Sequence, residues 1–148
     1  MAETNNYNRR NKPQHQPLFD AGGRMQPRDK DLEEAVLGAL MLEKDAYTVV
    51  CDILKPESFY EPANQKVYEA IQHLGAAQQP IDMLTVVERL RHEGTLDEVG
   101  GPVFISELTS KVASGAHVEY HARIVAQKYL ARELISFASQ IEAKAFDE

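Results

Sequence analysis

The first 27 residues are rich in Asn, Gln, Arg, Pro and Gly and carry no periodic apolar positions, so they cannot recover the entropy cost of ordering and predict a flexible tail. From Asp31 the pattern turns helical. Asp31 followed by Glu34 is a capping-box variant, and Leu32, Val36, Leu40 and Met41 recur at helical spacing. Gly38 interrupts this run at a cost of about 1 kcal/mol relative to Ala; it fits either close approach by another helix or simple tolerance. A second short helix is predicted around Tyr47, Val50, Ile53 and Leu54, stopped by Lys55-Pro56 because the residue before proline avoids the helical region. Pro62 suits an early helical position, with Val67, Ile71 and Leu74 following and Gly75 ending the helix.

Asp82 is placed to cap the next helix, its carboxylate meeting orphan N–H groups at the positive helix end. That helix carries Leu84, Val87 and Leu90 and closes at Gly94; Gly100-Gly101-Pro102 then makes a turn and restarts a helix with Val103, Phe104, Ile105 and Leu108. No stretch alternates with period two for long enough to predict a strand. The expected class is all-α, a compact bundle of about five short helices followed by one long protruding helix. The expected division is a tail over 1–27, a globular head over 28–116 and the long helix over 117–148.

That last helix runs from about His117 to Phe146 without proline or glycine. Thirty helical residues extend roughly 45 Å, whereas a compact domain of this size is about 35 Å across, so the helix should overhang its own bundle. With Tyr120 at zero and 100° per residue, Ile124, Ala131, Leu134, Ile135, Ala138, Ile141 and Ala145 fall within about 60° of it. Val125, Tyr129, Leu130 and Phe137 form a second apolar set on the other side. Two apolar faces require two partners. Burial in a larger bundle would also use both, but the overhang leaves the C-terminal half short of neighbours.

Charge narrows the function. The chain holds 16 basic and 23 acidic residues, a net of −7. Residues 1–27 contribute four basic against two acidic residues, +2, which leaves −9 on the remaining 121. DNA is held largely through neutralised phosphates, so an acidic module is not the main DNA grip. The single cysteine, Cys51, excludes an intrachain disulfide. With no basic cluster beside it, it reads as a small buried hydrophobe, and a free thiol without a secretory leader favours the cytoplasm. No apolar run approaches the roughly 18 residues of a membrane span.

Candidate chemistry is sparse. A nucleotide-binding loop needs Gly-x-x-x-x-Gly-Lys-Ser/Thr to cradle phosphates, and no such stretch occurs. His117 and His121 share the spacing of a zinc pair, but Glu119 stands in the wrong place for a His-Glu-x-x-His base and no third ligand lies nearby. No catalytic residue, metal ligand or cofactor site is assigned.

Six short signatures nevertheless stand in order: Val36-Leu37-Gly38-Ala39-Leu40-Met41-Leu42, Pro56-Glu57-Ser58-Phe59-Tyr60, Pro80-Ile81-Asp82, Gly94-Thr95-Leu96-Asp97-Glu98-Val99-Gly100-Gly101, Tyr120-His121-Ala122-Arg123-Ile124-Val125 and Arg132-Glu133-Leu134-Ile135. Their order and spacing resemble the N-terminal domain of bacterial replicative DNA helicases of the ring-shaped DnaB type, over roughly residues 27–146. The resemblance implies a non-catalytic collar for ring assembly and primase recruitment. The long helix would be the first arm of a helical hairpin, with the second arm and the ATPase motor expected beyond Glu148. By the same resemblance the protomers form a homohexamer arranged as a trimer of dimers, helicase loaders act on the ring, and ATP, Mg and DNA belong to the motor of a 5'-3' helicase. Two departures stand out: Asn64-Gln65-Lys66 where the family often has a His-Arg pair, and Val112-Ala113-Ser114-Gly115 where it often has a Pro-Ser or Pro-Thr step.

Leu134, Ile135, Phe137 and Ile141 are the expected association residues, with Arg132 as a polar orienting contact. Asp31, Gly38, Asp82, Gly94, Gly100 and Gly101 are the expected caps, turns and close approaches. The rival reading is a stand-alone acidic helical adaptor, which differs in having no second arm or motor downstream. For this chain alone the expectation is no ATP hydrolysis and no submicromolar DNA binding at physiological salt. A phosphate-release assay and a salt-dependent DNA titration check it; robust turnover, or tight binding with a steep salt slope, would overturn it.

Overall fold

The computed structural model describes residues 23–112 and 117–147. Residues 1–22 of the tail expected over 1–27, and Ala113-Ser114-Gly115 of the second departure, lie outside the described residues. Every regular element described is helical: α1 (Lys30–Leu42), α2 (Ala46–Val50), a 3-10 turn (Pro56–Ser58), α3 (Pro62–Ala76), α4 (Met83–Glu93), α5 (Leu96–Val99), α6 (Gly101–Ser110) and α7 (Val118–Phe146). Among the described residues six short helices precede the long one, in line with the expected bundle of about five, the extra one being the single turn Leu96–Val99.

α1 is the central post, packed against α7, α6 and α3. Its Val36, Leu37 and Leu40 are fully or almost fully buried among Phe59, Tyr68, Ile71, Leu90, Ile105 and Leu108. Phe59 and Tyr68 meet at 5.0 Å between ring centroids. The Tyr68 hydroxyl donates to the Leu54 carbonyl at 2.9 Å, which satisfies the one polar atom of that buried ring. Burial pushes its phenol above the ordinary range.

The helix ends show what local chemistry decides. α1 is capped by Asp29, not Asp31: the Asp29 carboxylate accepts from Leu32 N–H at 3.0 Å and its own backbone is extended. Asp31 lies in the first turn, and Glu34 turns inward to pair with Lys111. α4 begins with a reciprocal box in which Asp82 accepts from Thr85 N–H and the Thr85 hydroxyl accepts from Asp82 N–H, both at 2.9 Å. Gly94 closes α4 at φ +74°, and Thr95 N–H reaches back to the Leu90 carbonyl. Gly100 and Gly101, at φ +119° and +73°, let α6 start directly where α5 stops.

Gly75 does not end α3. The Tyr47 ring occupies the space where its side chain would be, and the helix continues to Ala76 before Gln78 takes up a left-handed conformation at φ +54°. α4 also presents a different face from the one expected: Val86 and Leu90 are buried, Val87 is half-buried, and Leu84 is 76% exposed. Cys51 is half-buried, its thiol directed at the Thr48 carbonyl at 3.4 Å.

Gly38 faces α6 at a close backbone crossing. A methyl there would run into the Leu108 carbonyl oxygen and the Val112 side chain. Backbone offers little relief, so Gly38→Ala should cost about 1–3 kcal/mol as an overpacking change. Urea unfolding measures this; a variant as stable as the parent would mean that α6 moves away freely.

Candidate association surface and the latch beneath it

α7 meets the head along one stripe. Val118, Ala122, Val125 and Arg132 are buried and Tyr129 is half-buried, at successive spacings of 4, 3, 4 and 3 residues. That stripe lies about 160° round the helix from Tyr120. The opposite face is bare: Tyr120 is 66% exposed, Leu134 61%, Ile135 37% and Ile141 55%. Leu130 and Phe137 share this exposure, so of the expected second apolar set only Val125 and Tyr129 turn towards the head. After Arg132 no residue of α7 is buried and only Ser136 is half-buried. These last 14 residues, 133–146, extend about 21 Å.

Arg132 is not exposed to meet a partner. It is 3% exposed, and its two terminal nitrogens donate to the Pro27 carbonyl at 2.8 Å and the Ser58 carbonyl at 3.1 Å. The guanidinium also lies against the rings of Tyr60 and Tyr129, at 5.5 and 5.7 Å from their centroids. Burial pulls its pKa down, opposed by Glu33 and Tyr60.

Glu33 on α1 is the counter-charge, 1% exposed. Its carboxylate accepts from Tyr60 N–H at 2.9 Å, from the Asn64 amide at 3.1 Å and from Glu61 N–H at 3.4 Å. Arg28 completes the group, ion-paired with Glu61 at 2.8 Å and stacked 5.2 Å from the Tyr60 centroid. Residues 58–61 therefore hand one carbonyl, that of Ser58, to one buried charge and two N–H groups to the other. Gln26 is buried and Pro27 accepts from Arg132, so packing reaches back before the expected boundary at residue 28. Asn64, one of the family departures, is the residue that reaches Glu33.

A second apolar surface lies between α4 and α6. Met83, Leu84, Val87, Pro102 and Val103 line a groove of about 490 Å³, rimmed by Arg91 and Glu107. His117 and His121 stand with ring centroids 6.3 Å apart. Among the described residues no group of three or more His, Cys, Asp or Glu side chains could hold an ion, and no helix is long and apolar enough to cross a membrane. Sequence patterns missed Glu33, whose only signal is a carboxylate on the inward side of α1, the role of Ser58, whose backbone carbonyl meets Arg132, and that of Tyr60, which acts through both its N–H and its ring.

Burial raises the Glu33 pKa above the usual carboxylate value, against the lowering effect of Tyr60, Asn64, Glu61 and Arg132. A raised folded-state value means that the folded chain binds the proton more readily than the unfolded one. Its contribution to stability therefore grows as pH falls from above the raised value towards 4.5, and is lost as pH rises again. Glu33→Gln removes that titration, so the stability gap between parent and variant should widen on acidification. Urea unfolding of both chains between pH 4.5 and 8 gives the comparison. A gap that narrows would mean that the hydrogen bonds outweigh burial.

Residues 25–127 match the family model described as the DnaB-like helicase N terminal domain. Among curated proteins, the chain is 42% identical over 139 residues to the replicative DNA helicase DnaB of Rhodothermus marinus, covering 94% of this chain and 15% of that protein. It is 40% identical over 118 residues to that of Geobacillus stearothermophilus, covering 80% and 26%. The chain thus spans only 15% and 26% of the length of these two relatives. Its backbone superposes on the crystal structure of the N-terminal domain of DnaB helicase from Mycobacterium tuberculosis with a TM-score of 0.80, at 37% identity and covering 82% of this chain and 88% of that one. It also superposes on a DnaB-like replicative helicase described with its primase interactions, with a TM-score of 0.71, at 27% identity and covering 81% and 28%. The backbone fold is thus shared with these structures, and the chain belongs to the DnaB-like helicase N-terminal domain family.

Proposed function

We propose that this chain is the non-catalytic collar of a replicative DNA helicase, which joins protomers into a ring and offers primase a docking surface. The observation that carries this reading is the bare apolar face of α7. Leu134, Ile135, Phe137 and Ile141 are large, apolar and exposed on a helix that outruns its own head. Scattered exposed apolar residues are ordinary, but four large ones close together on the unsupported end of one helix, spread over about 160° of its surface, mark an interaction surface. The similar DnaB-like helicase is described through its interactions with primase, which supports primase as one partner and further protomers as the other.

In this reading the globular head starts by Gln26, ahead of the expected boundary, and α7 from Val118 to Phe146 supplies the arm. ATP, Mg and the DNA grip belong to a motor elsewhere in the whole protein, and helicase loaders act on the assembled ring in the cytoplasm. The collar contributes geometry: it sets how protomers meet and keeps primase near the template.

Phe137→Ser and Ile141→Ser in the full-length helicase test the reading. Each puts a hydroxyl into a contact that should exclude water, at a cost of about 1–3 kcal/mol, or roughly tenfold to a hundredfold in affinity. Both side chains are exposed in the monomer, so melting of the head should be nearly unchanged. Native mass spectrometry of the ring and a primase titration provide the readout. Collapse of the melting temperature with unaltered affinity per folded molecule would place these residues in a core instead.

A further inference from the structure

We propose that Arg132 is a positioning residue that locks the direction of the α7 arm, through a clamp shared with the segment before α1. The consequence for assembly rests on the collar reading above; the lock itself does not. Arg132 is the last buried residue of α7, so it is the fulcrum from which the exposed arm projects. Its two carbonyl acceptors belong to different segments, Pro27 ahead of α1 and Ser58 in the 3-10 turn. Arg28, one residue after Pro27, grips Tyr60 and Glu61, and the Tyr60 ring lies beneath both guanidinium groups. Glu33 supplies the opposing charge from α1 and holds the Tyr60 N–H. Three chain segments are thus pinned to α7 at one point.

The lever arm explains why that point matters. With Arg132 in place, the free length is about 21 Å, residues 133–146. Without it, the last fully buried apolar residue of α7 is Val125, and the free length from there to Phe146 grows to about 32 Å. A swing of about 20° then moves the tip by about 11 Å instead of about 7 Å, on helix geometry alone. Such a displacement exceeds the width of a side chain, so the row Leu134, Ile135, Phe137 and Ile141 would be presented in many directions. The clamp reads the occupancy of the Pro27 segment: withdrawing that segment removes one of two acceptors and loosens the arm without touching α7.

The experiment places labels at Glu69→Cys on α3 and Lys144→Cys near the arm tip, in a Cys51→Ser background, and measures their distance distribution by pulsed electron resonance. The expected result is a distribution about one and a half times as wide for Arg132→Gln, an intermediate width for Arg132→Lys, which keeps the charge but loses the two-pronged fork, and helix content retained in both. Deleting residues 1–27 should broaden it as well, which covers the case in which Arg132→Gln does not fold. A distribution as narrow as the parent's, in folded Arg132→Gln or otherwise in the deletion, overturns the lock. Carrying Arg132→Gln into the full-length helicase separates the two ideas: a broadened arm with unaltered ring mass and primase affinity keeps the lock and counts against the collar reading.

Discussion

The head is organised around two buried opposite charges that never need to touch. Glu33 and Arg132 are each almost completely removed from water, and a charge in that position is tolerated only when its hydrogen-bonding capacity is met. The irregular stretch from Ser58 to Glu61 meets it: its N–H groups face the carboxylate and a carbonyl faces the guanidinium. A helix or strand could not do this, since its own ladder consumes the same groups. The segment Pro56-Glu57-Ser58-Phe59-Tyr60 therefore has structural content without a catalytic group. Proline stops the preceding helix and Phe59 fills the core, while the backbone that follows serves the charges. Removing either charge would leave the other stranded beside unsatisfied partners, so the pair specifies one arrangement of α1, the turn and α7.

The same arrangement divides α7 into two regimes. Up to Arg132 the helix is held by a stripe at alternating spacings of four and three, the spacing that keeps one face against a partner along a shared seam. Beyond it the stripe ends, and the helix carries apolar residues that no part of the described head covers. Surface ion pairs do little to compensate. The i,i+4 pair Glu119–Arg123 lies near the other end of α7, and such pairs contribute only a few tenths of a kcal/mol.

Much of the fold was legible because several signals are local. Asp82 with Thr85, Gly94, and the Gly100-Gly101 pair act within a turn of themselves, and backbone stereochemistry permits few alternatives there. The long final helix and its outward row were legible from periodicity alone. What failed depended on tertiary choice. Asp29 and Asp31 are both reasonable caps, and the extended backbone at Asp29 decides between them. Leu84 and Val86 stand two apart on one helix, and only the position of α3 and α6 selects Val86 for the core. Gly75 looks like a helix stop until the Tyr47 ring, 28 positions earlier, accounts for it. Arg132 was the most instructive case. An arginine among exposed apolar residues reads as a rim contact, whereas its acceptors at Pro27 and Ser58, 105 and 74 positions away, carry no side-chain pattern at all.

An isolated helix of 14 residues is only marginally stable in water, because nucleation costs more than so few hydrogen bonds return. The arm beyond Arg132 escapes this penalty by continuing a helix already nucleated on the head, so each further residue requires only propagation. The stripe packed on the head thus secures the arm's helical shape, and the latch at Arg132 its direction. It also explains the division of labour among the residues of α7. Polar capacity is concentrated at the fulcrum, where geometry must be unique, and apolar area is concentrated on the arm, where a partner can supply the missing burial. A charge in place of Leu134, Ile135, Phe137 or Ile141 would be solvated and would weaken that burial. An apolar residue at the fulcrum would leave Glu33 without its counter-charge and the Pro27 and Ser58 carbonyls without a donor.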